Sequence, residues 1–236
     1  MTRELFREES YLRACEATVV AVLPGGIVLD ATIFYAEGGG QPGDTGVLWR
    51  TDGSCIAVVD TKKDRDSGAH LHMPADAAVL PAVGETVRAE IDWDRRYRLM
   101  RMHTCLHLLC AVVPGGVTGG SVGTDRGRLD FDLPDPVLDK ERIEADLNRL
   151  IGEDRPLAMR WIEDAELAAN PDLVRTMSVR PPSEQGRVRV IEVAGADLQP
   201  CGGTHVRSTG EVGRVRVGKI KKKGRQNRRI NLLFEA

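Results

Sequence analysis

The hydrophobic period of this chain changes at Asp94, from short strand-like runs to a long helical one, and that change limits what it can fold into. Before it, short apolar runs are broken by Gly, Pro and Asp: ATVVAVL (17–23), then Pro24-Gly25-Gly26 and IVLD, then GVLWR (46–50), CIAVVD (55–60) and TVRAEID (86–92). Compact runs rich in β-branched residues between turn formers read as strands, and Pro24-Gly25-Gly26 reads as a hairpin turn. Strands of this kind suggest a small barrel. After Asp94, RRYRLMRMHTCLHLLCAVV runs without Gly or Pro until Pro114, with apolar residues at 99, 100, 102, 106, 108, 109 and 112. That near-helical spacing predicts a helix over 95–113 with Asp94 as N-cap. A second helix is expected over about 138–152, starting at Asp139 or Asp135 and stopping at Gly152. The remaining strands are read at 127–133, 157–162, 187–193, 213–220 and 230–236. The expected class is α+β: a small N-terminal β-barrel over 1–94, then an α+β domain over 95–236.

Composition becomes informative only when read along the chain. The 236 residues carry 33 basic and 35 acidic side chains, net −2, and 42% are hydrophobic. Bulk charge excludes a histone-like polycation, and the length supports one large domain or two small ones. Residues 1–90, however, hold 8 basic and 14 acidic residues, net −6, whereas residues 91–236 hold 25 and 21, net +4. The last 31 residues hold 10 basic and 2 acidic, net +8, and seven of those cations fall within KIKKKGRQNRR (219–229). Such a segment is either a solvated loop or an electrostatic footprint for a polyanion. Aromatics are only 4%, which argues against a platform for stacking bases. No apolar run approaches the ~20 residues of a membrane span. The opening MTRELFREES has no apolar stretch of the kind a secretory signal needs, so a cytoplasmic protein is expected.

The five cysteines (15, 55, 105, 110, 201) form no regular framework, and an odd count without an export signal argues against disulfides. Their placement beside histidines matters more. His103 and His107 stand at i and i+4 on the expected helix, so both imidazoles share one face, about 6 Å apart. Cys201-Gly202-Gly203-Thr204-His205 offers a thiolate and an imidazole across a turn that its glycines allow to fold tightly. Each half alone arises readily by chance. Together they form a borderline-soft donor set that suits Zn²⁺. Cys105 and Cys110 are expected in the apolar core, and Cys15 and Cys55 are read as structural. His70 and His72 alternate in a strand, so both lie on one face; they could ligate a metal, but the surface of the β-domain is the favoured reading.

Three segments carry a resemblance: TIFYAEGGGQPGDTG (32–46), RMHTCLHLL (101–109) and DLQPCGGTHVRSTGEVG (197–213). They resemble the editing domain of alanyl-tRNA synthetase and, more closely, its free-standing relatives, the alanyl-tRNA editing proteins of the AlaX group. The resemblance covers nearly the whole chain, with the segments in the family's order. KIKKKGRQNRRINLLF is similar to the family's basic, Gly-containing loop before the last strand. Threonyl-tRNA synthetase has a related HxxxH…CxxxH domain but lacks the GGGQP segment, so it fits less well. The glycine motif in the β-rich region implies the longer form of the free-standing proteins. Cys105 stands where the family usually has a small residue such as Ala.

The resemblance implies a hydrolase working in trans on mischarged Ser-tRNA(Ala), with Gly-tRNA(Ala) as a second candidate. It would cleave the ester at the 3′-terminal adenosine, so its partner is the acceptor end of tRNA(Ala). No GxxxxGK[ST] is present, so no ATP requirement is expected, and hydrolysis is favoured over ligation. Contact with alanyl-tRNA synthetase stays open. The alternatives are a non-catalytic tRNA-binding module with structural zinc, and an esterase for another small aminoacyl ester.

Zinc held by His103, His107, Cys201 and His205 can lower the pKa of bound water, yet four protein ligands close a tetrahedral site. Either His205 is a loose ligand, or coordination expands, or zinc positions the amino group while another group activates water. An apolar pocket rejects a hydroxyl isostere by only about 10²-fold, so a buried group that bonds the serine hydroxyl does better. Thr32 and Gln41 are the candidates, and the N–H groups of Gly38, Gly39 and Gly40 can approach the adenosine or the oxyanion. Lys219, Lys221, Lys222, Lys223, Arg225, Arg228 and Arg229 are the candidate phosphate contacts.

Overall fold

The computed structural model describes residues 2–76, 78–133, 138–176, 183–184 and 186–235. The chain divides into two compact units, 1–97 and 98–236, and the division falls inside its longest helix.

The first unit is a closed six-stranded barrel. Its strands are β1 (Ala14–Leu23), β2 (Gly26–Leu29), β3 (Gly46–Arg50), β4 (Cys55–Lys63), β5 (His70–Pro74) and β6 (Thr86–Ile91). The order around the barrel is β1-β2-β5-β4-β3-β6, every pair antiparallel. Period-two alternation sends Ile56 and Val58 of β4, Leu48 of β3, and Val87, Ala89 and Ile91 of β6 inward. Ala17, Val19, Ile27, Leu29, Ile33 and Phe34 complete that core. A register shift between Val58 and Asp60 reverses the parity of β4, so that Thr61, and not Asp60, is fully buried.

Two expectations fail in this unit. His70 and His72 are buried, at 2% and 0% exposure, because the face of β5 they share is packed beneath Phe6 and Phe34. Closing a sheet into a barrel buries one face of every strand, which alternation alone cannot assign to a particular strand. Cys55, read as structural, is exposed at the start of β4.

Helix α1 spans Trp93–Val112. It begins earlier than Asp94 as cap would allow, because Asp92 Oδ1 accepts the Arg95 N–H at 3.1 Å. Asp94 therefore lies in the first turn, where a carboxylate suits the helix dipole. Arg96 is wholly buried in the first unit. Its guanidinium binds the Asp44 carboxylate and donates to the carbonyls of Ile33 (2.6 Å) and Ser10 (3.1 Å). Asp44 Oδ2 also accepts the Tyr35 N–H at 2.6 Å.

The second unit adds β7 (Gly116–Ser121), β8 (Arg126–Asp132), α2 (Lys140–Gly152), β9 (Leu157–Glu163), α3 (Asp164–Ala169), β10 (Arg187–Val193) and β11 (Asp197–Pro200). It ends with β12 (Val215–Val217), β13 (Lys221–Lys222) and β14 (Asn227–Phe234). One sheet runs β12-β14-β8-β7 with β13 against β14; in another, β10 is paired by β9, β11 and residues 183–184. Asp139 caps α2 by accepting the Arg142 N–H at 3.0 Å, whereas Asp135 lies outside the described residues. Ile143, Leu147, Leu150 and Ile151 form the buried face of α2. Cys105 and Cys110 are buried, and burial pushes both thiols up to about 12, as inert packing groups. The chain is thus mixed α and β, with a closed barrel and few helices. Among the described residues, no helix is long and apolar enough to cross a membrane.

Candidate metal centre

Four side chains distant in sequence converge in the second unit. One turn of α1 separates His103 from His107, with ring centroids 5.3 Å apart. The other two come from the loop after β11. That loop is tied down by Arg189, whose Nη1 donates to the carbonyls of Cys201 (2.8 Å) and Gly203 (2.9 Å). The Cys201 N–H meanwhile donates to the Arg189 carbonyl at 3.0 Å, extending the ladder. His205 then lies 4.3 Å from His103 and 4.5 Å from His107, between ring centroids. Cys201 Sγ is 3.2 Å from His205 Nε2 and 3.5 Å from His103 Nε2. One ligand atom from each of His103, His107, Cys201 and His205 falls within 4.8 Å of all the others.

The surroundings bias Cys201 and His205 toward the forms that bind a metal, whereas His107 is held toward its protonated form, whose proton a bound cation would displace. Burial opposes ionisation of Cys201, but the imidazoles of His103 and His205 outweigh it and hold the thiol well below its usual range. The Gly203 N–H also points at the sulfur, at 3.3 Å. Burial and the neighbouring His103 hold His205 toward its neutral form. Burial likewise favours neutral His107, but Asp197 and Cys201 prevail and push it up to about 9. Thr104 Oγ1 sits 3.1 Å from His205 Nδ1, and Asp197 Oδ2 sits 3.4 Å from His107 Nδ1. Outer-nitrogen contacts of this kind fix the ring orientation of metal-binding histidines. At 3.4 Å the Asp197 contact is electrostatic: His107 Nδ1 and Asp197 Oδ1 are both buried without a hydrogen-bond partner among the described residues. A half-buried thiolate, three buried imidazoles facing it and an under-satisfied carboxylate together make a cradle that a divalent cation fits.

Asp197 is the residue beside the cluster that reasoning from the sequence did not single out. The signal was present in the segment already quoted. On a strand, residues i, i+2 and i+4 share a face, which aligns Asp197, Gln199 and Cys201. Asp197 and Gln199 are both buried, and Gln199 Nε2 donates to Asp197 Oδ2 at 2.7 Å.

Residues 188–231 match the family described as threonyl and alanyl tRNA synthetase second additional domain, and residues 8–95 match class II (A) tRNA synthetases. The alanyl-tRNA editing protein AlaX-M of Methanosarcina acetivorans is 38% identical, over 98% of this chain and 98% of its own. The chain belongs to the alanyl-tRNA editing protein family. The AlaX-M protein of Saccharolobus solfataricus is 33% identical over 98% of each chain. An alanine–tRNA ligase of Pyrobaculum calidifontis is 35% identical over 94% of this chain, which spans only 25% of the ligase.

In this member of the editing family, the glycine segment is a tight turn of the barrel unit. Gly38 and Gln41 exchange backbone hydrogen bonds, while Gly39 and Gly40 take φ of +56° and +80°. Two consecutive left-handed residues require glycine-like freedom, so these glycines have a conformational reason to be there. Thr32 and Gln41 are both wholly buried. Burial drives His72 down to about 3, so it is neutral; its Nδ1 contacts the Ile27 carbonyl at 2.9 Å and must carry the proton. His72 Nε2 is then an acceptor, and the Thr32 hydroxyl donates to it at 2.7 Å while accepting the Phe34 N–H at 3.0 Å.

The basic segment divides in two. Lys219, Lys221, Lys222, Lys223 and Arg225 are exposed. Arg229 forms a two-pronged pair with Asp130, at 2.7 and 2.8 Å, and Arg228 is buried against the carbonyls of Gly224, Arg225 and Asn227. Arg228 therefore braces the β13–β14 turn, and Arg229 ties β14 to the neighbouring strand β8.

Proposed function

We propose that the chain is an editing hydrolase that deacylates mischarged tRNA(Ala) in trans, with Zn²⁺ held by His103, His107, Cys201 and His205. The observation that carries this reading is the convergence of those four ligands in a chain whose relatives, matched end to end, are named alanyl-tRNA editing proteins. Bound zinc supplies Lewis acidity for hydrolysis of the ester to the 3′-terminal adenosine. Cys201 enters as a thiolate, stabilised by its imidazole neighbours and by the Gly203 N–H. Asp197 and Thr104 orient His107 and His205 from their outer nitrogens. Four protein ligands complete a tetrahedral set, so turnover requires one of them to be displaced or the coordination to expand. His205 is the ligand assigned to that role.

Selectivity for the seryl ester over the alanyl ester is assigned to Thr32 and Gln41, in the barrel domain taken as 1–94. With its proton directed to His72 and one lone pair engaged by Phe34, the Thr32 hydroxyl keeps a single acceptor lone pair. The remaining lone pair is the acceptor assigned to a serine hydroxyl, which alanine would leave unmatched; because Thr32 is wholly buried, this contact requires the surrounding barrel to open. The phosphate contacts are assigned to the exposed cations of 219–225. The chain is taken to work in the cytoplasm and without ATP.

The test is incubation of purified protein with Ser-, Gly- and Ala-tRNA(Ala), with and without a chelator. Chelator-sensitive loss of the seryl ester, with the alanyl ester intact, is the expected result. Tight tRNA binding with no loss of any ester would instead indicate a binding module.

A further inference from the structure

The second unit pairs most of its surface arginines with acids. Arg149 meets Glu153, Arg160 meets Glu166, Arg214 meets Glu235, and Arg128 and Arg229 share Asp130. Another face carries cations without such partners. A cleft of about 720 Å³ lies between the start of α2 and the β12–β13 connection, and Lys140, Arg216 and Lys219 line it. All three are exposed, and none has an ion pair among the described residues. The one acid in the lining, Glu144, is engaged: its Oε2 accepts the Val217 N–H at 2.8 Å. Lys140 is also the first residue of α2, where the helix dipole disfavours a cation, so helix stability does not explain it. Along the chain from Lys219, the exposed cations Lys221, Lys222, Lys223 and Arg225 continue the series, again unpaired among the described residues.

We propose that this cleft seats backbone phosphate of an RNA, and that Lys140 and Arg216 belong to the tRNA-binding surface together with 219–225, while Arg228 and Arg229 do not. The proposal rests on the reading that tRNA is the substrate. Three cations from two separate places in the chain converge on one concavity with no aromatic side chain in its lining, which suits a phosphate and not a stacked base. Arg216 adds a fork that can hold two phosphate oxygens at once. Such contacts position the RNA without reading its sequence.

Binding of uncharged tRNA(Ala), followed by fluorescence anisotropy across a KCl series, tests this. Three proteins are compared: the wild type, the variant Lys140→Gln/Arg216→Gln/Lys219→Gln, and the control Arg149→Gln/Arg160→Gln/Arg214→Gln, which loses the same charge from ion-paired positions. Each lost phosphate contact lowers the slope of log K against log salt by about 0.7–0.9, so the cleft variant should lose about 2 and bind about a hundredfold more weakly at 0.1 M salt. The control should keep the wild-type slope. A cleft variant with the wild-type slope overturns the proposal, and so does an equal loss in cleft and control variants, since binding would then follow bulk charge. Deacylation of Ser-tRNA(Ala) by the wild type is run alongside. Turnover with an unaltered slope in the cleft variant sinks the cleft alone, whereas a wild type that neither binds nor deacylates sinks the functional reading itself.

Discussion

Asp197 Oδ2 lies 3.4 Å from His107 Nδ1, and this contact links the strand that delivers Cys201 to the helix that delivers two of the histidines. The carboxylate is wholly buried, and its other oxygen has no hydrogen-bond partner among the described residues. Its role is to hold the imidazole in one orientation and raise its basicity. Asp197→Asn should therefore lower Zn²⁺ affinity by about 10–100-fold, with little change in overall fold. Competition against a chromophoric chelator measures it, and an unchanged affinity would remove Asp197 from the centre.

Cys201 is the only thiol in the cluster, and its low pKa comes from the imidazoles around it. Cys201→Ala should abolish deacylation and reduce bound zinc, measured by elemental analysis of the purified variant. Full zinc occupancy in that variant would show that the sulfur is not a ligand.

The glycines of GGGQPGDTG should not respond alike. A Cβ on Gly43 would sit 2.0 Å from the Thr61 carbonyl oxygen, inside the barrel's backbone, where nothing can yield. Gly43→Ala should cost about 2–4 kcal/mol, read from the urea midpoint. A Cβ on Gly39 would meet nothing within 4 Å, so Gly39→Ala pays only for its positive φ, about 1–2 kcal/mol. Equal losses at the two positions would contradict this division.

Burial holds His72 at about 3, against about 6.5 in the unfolded chain. Between those values the unfolded state binds the extra proton. This residue's contribution to stability is complete above pH 6.5 and is lost as pH falls toward 3, at up to about 1.4 kcal/mol per pH unit. His72→Asn should flatten the stability profile over that window by close to one proton. Denaturant titrations at several pH values follow this, and an unchanged slope would mean that His72 is not the group being protonated.

Local chemistry determined much of this protein on its own. GVLWR and RVRVIEV are strands with the same ends that alternation and turn residues marked, because a strand's period and its punctuation are properties of neighbouring residues. The i, i+4 histidines and the Cys-Gly-Gly-Thr-His turn were legible for the same reason. Burial was not. His70 and His72 alternate as surface residues would, and Arg96 stands in a charged run, yet all three are buried. Their partners, Glu4 for His70, Thr32 and Ile27 for His72, and Asp44 for Arg96, lie between 40 and 66 residues away in sequence. Asp197 shows the same limit, since its value depends on a histidine 90 positions earlier. The period of a sequence specifies which residues share a face; only the packed chain decides which faces are closed from water and which side chains meet there.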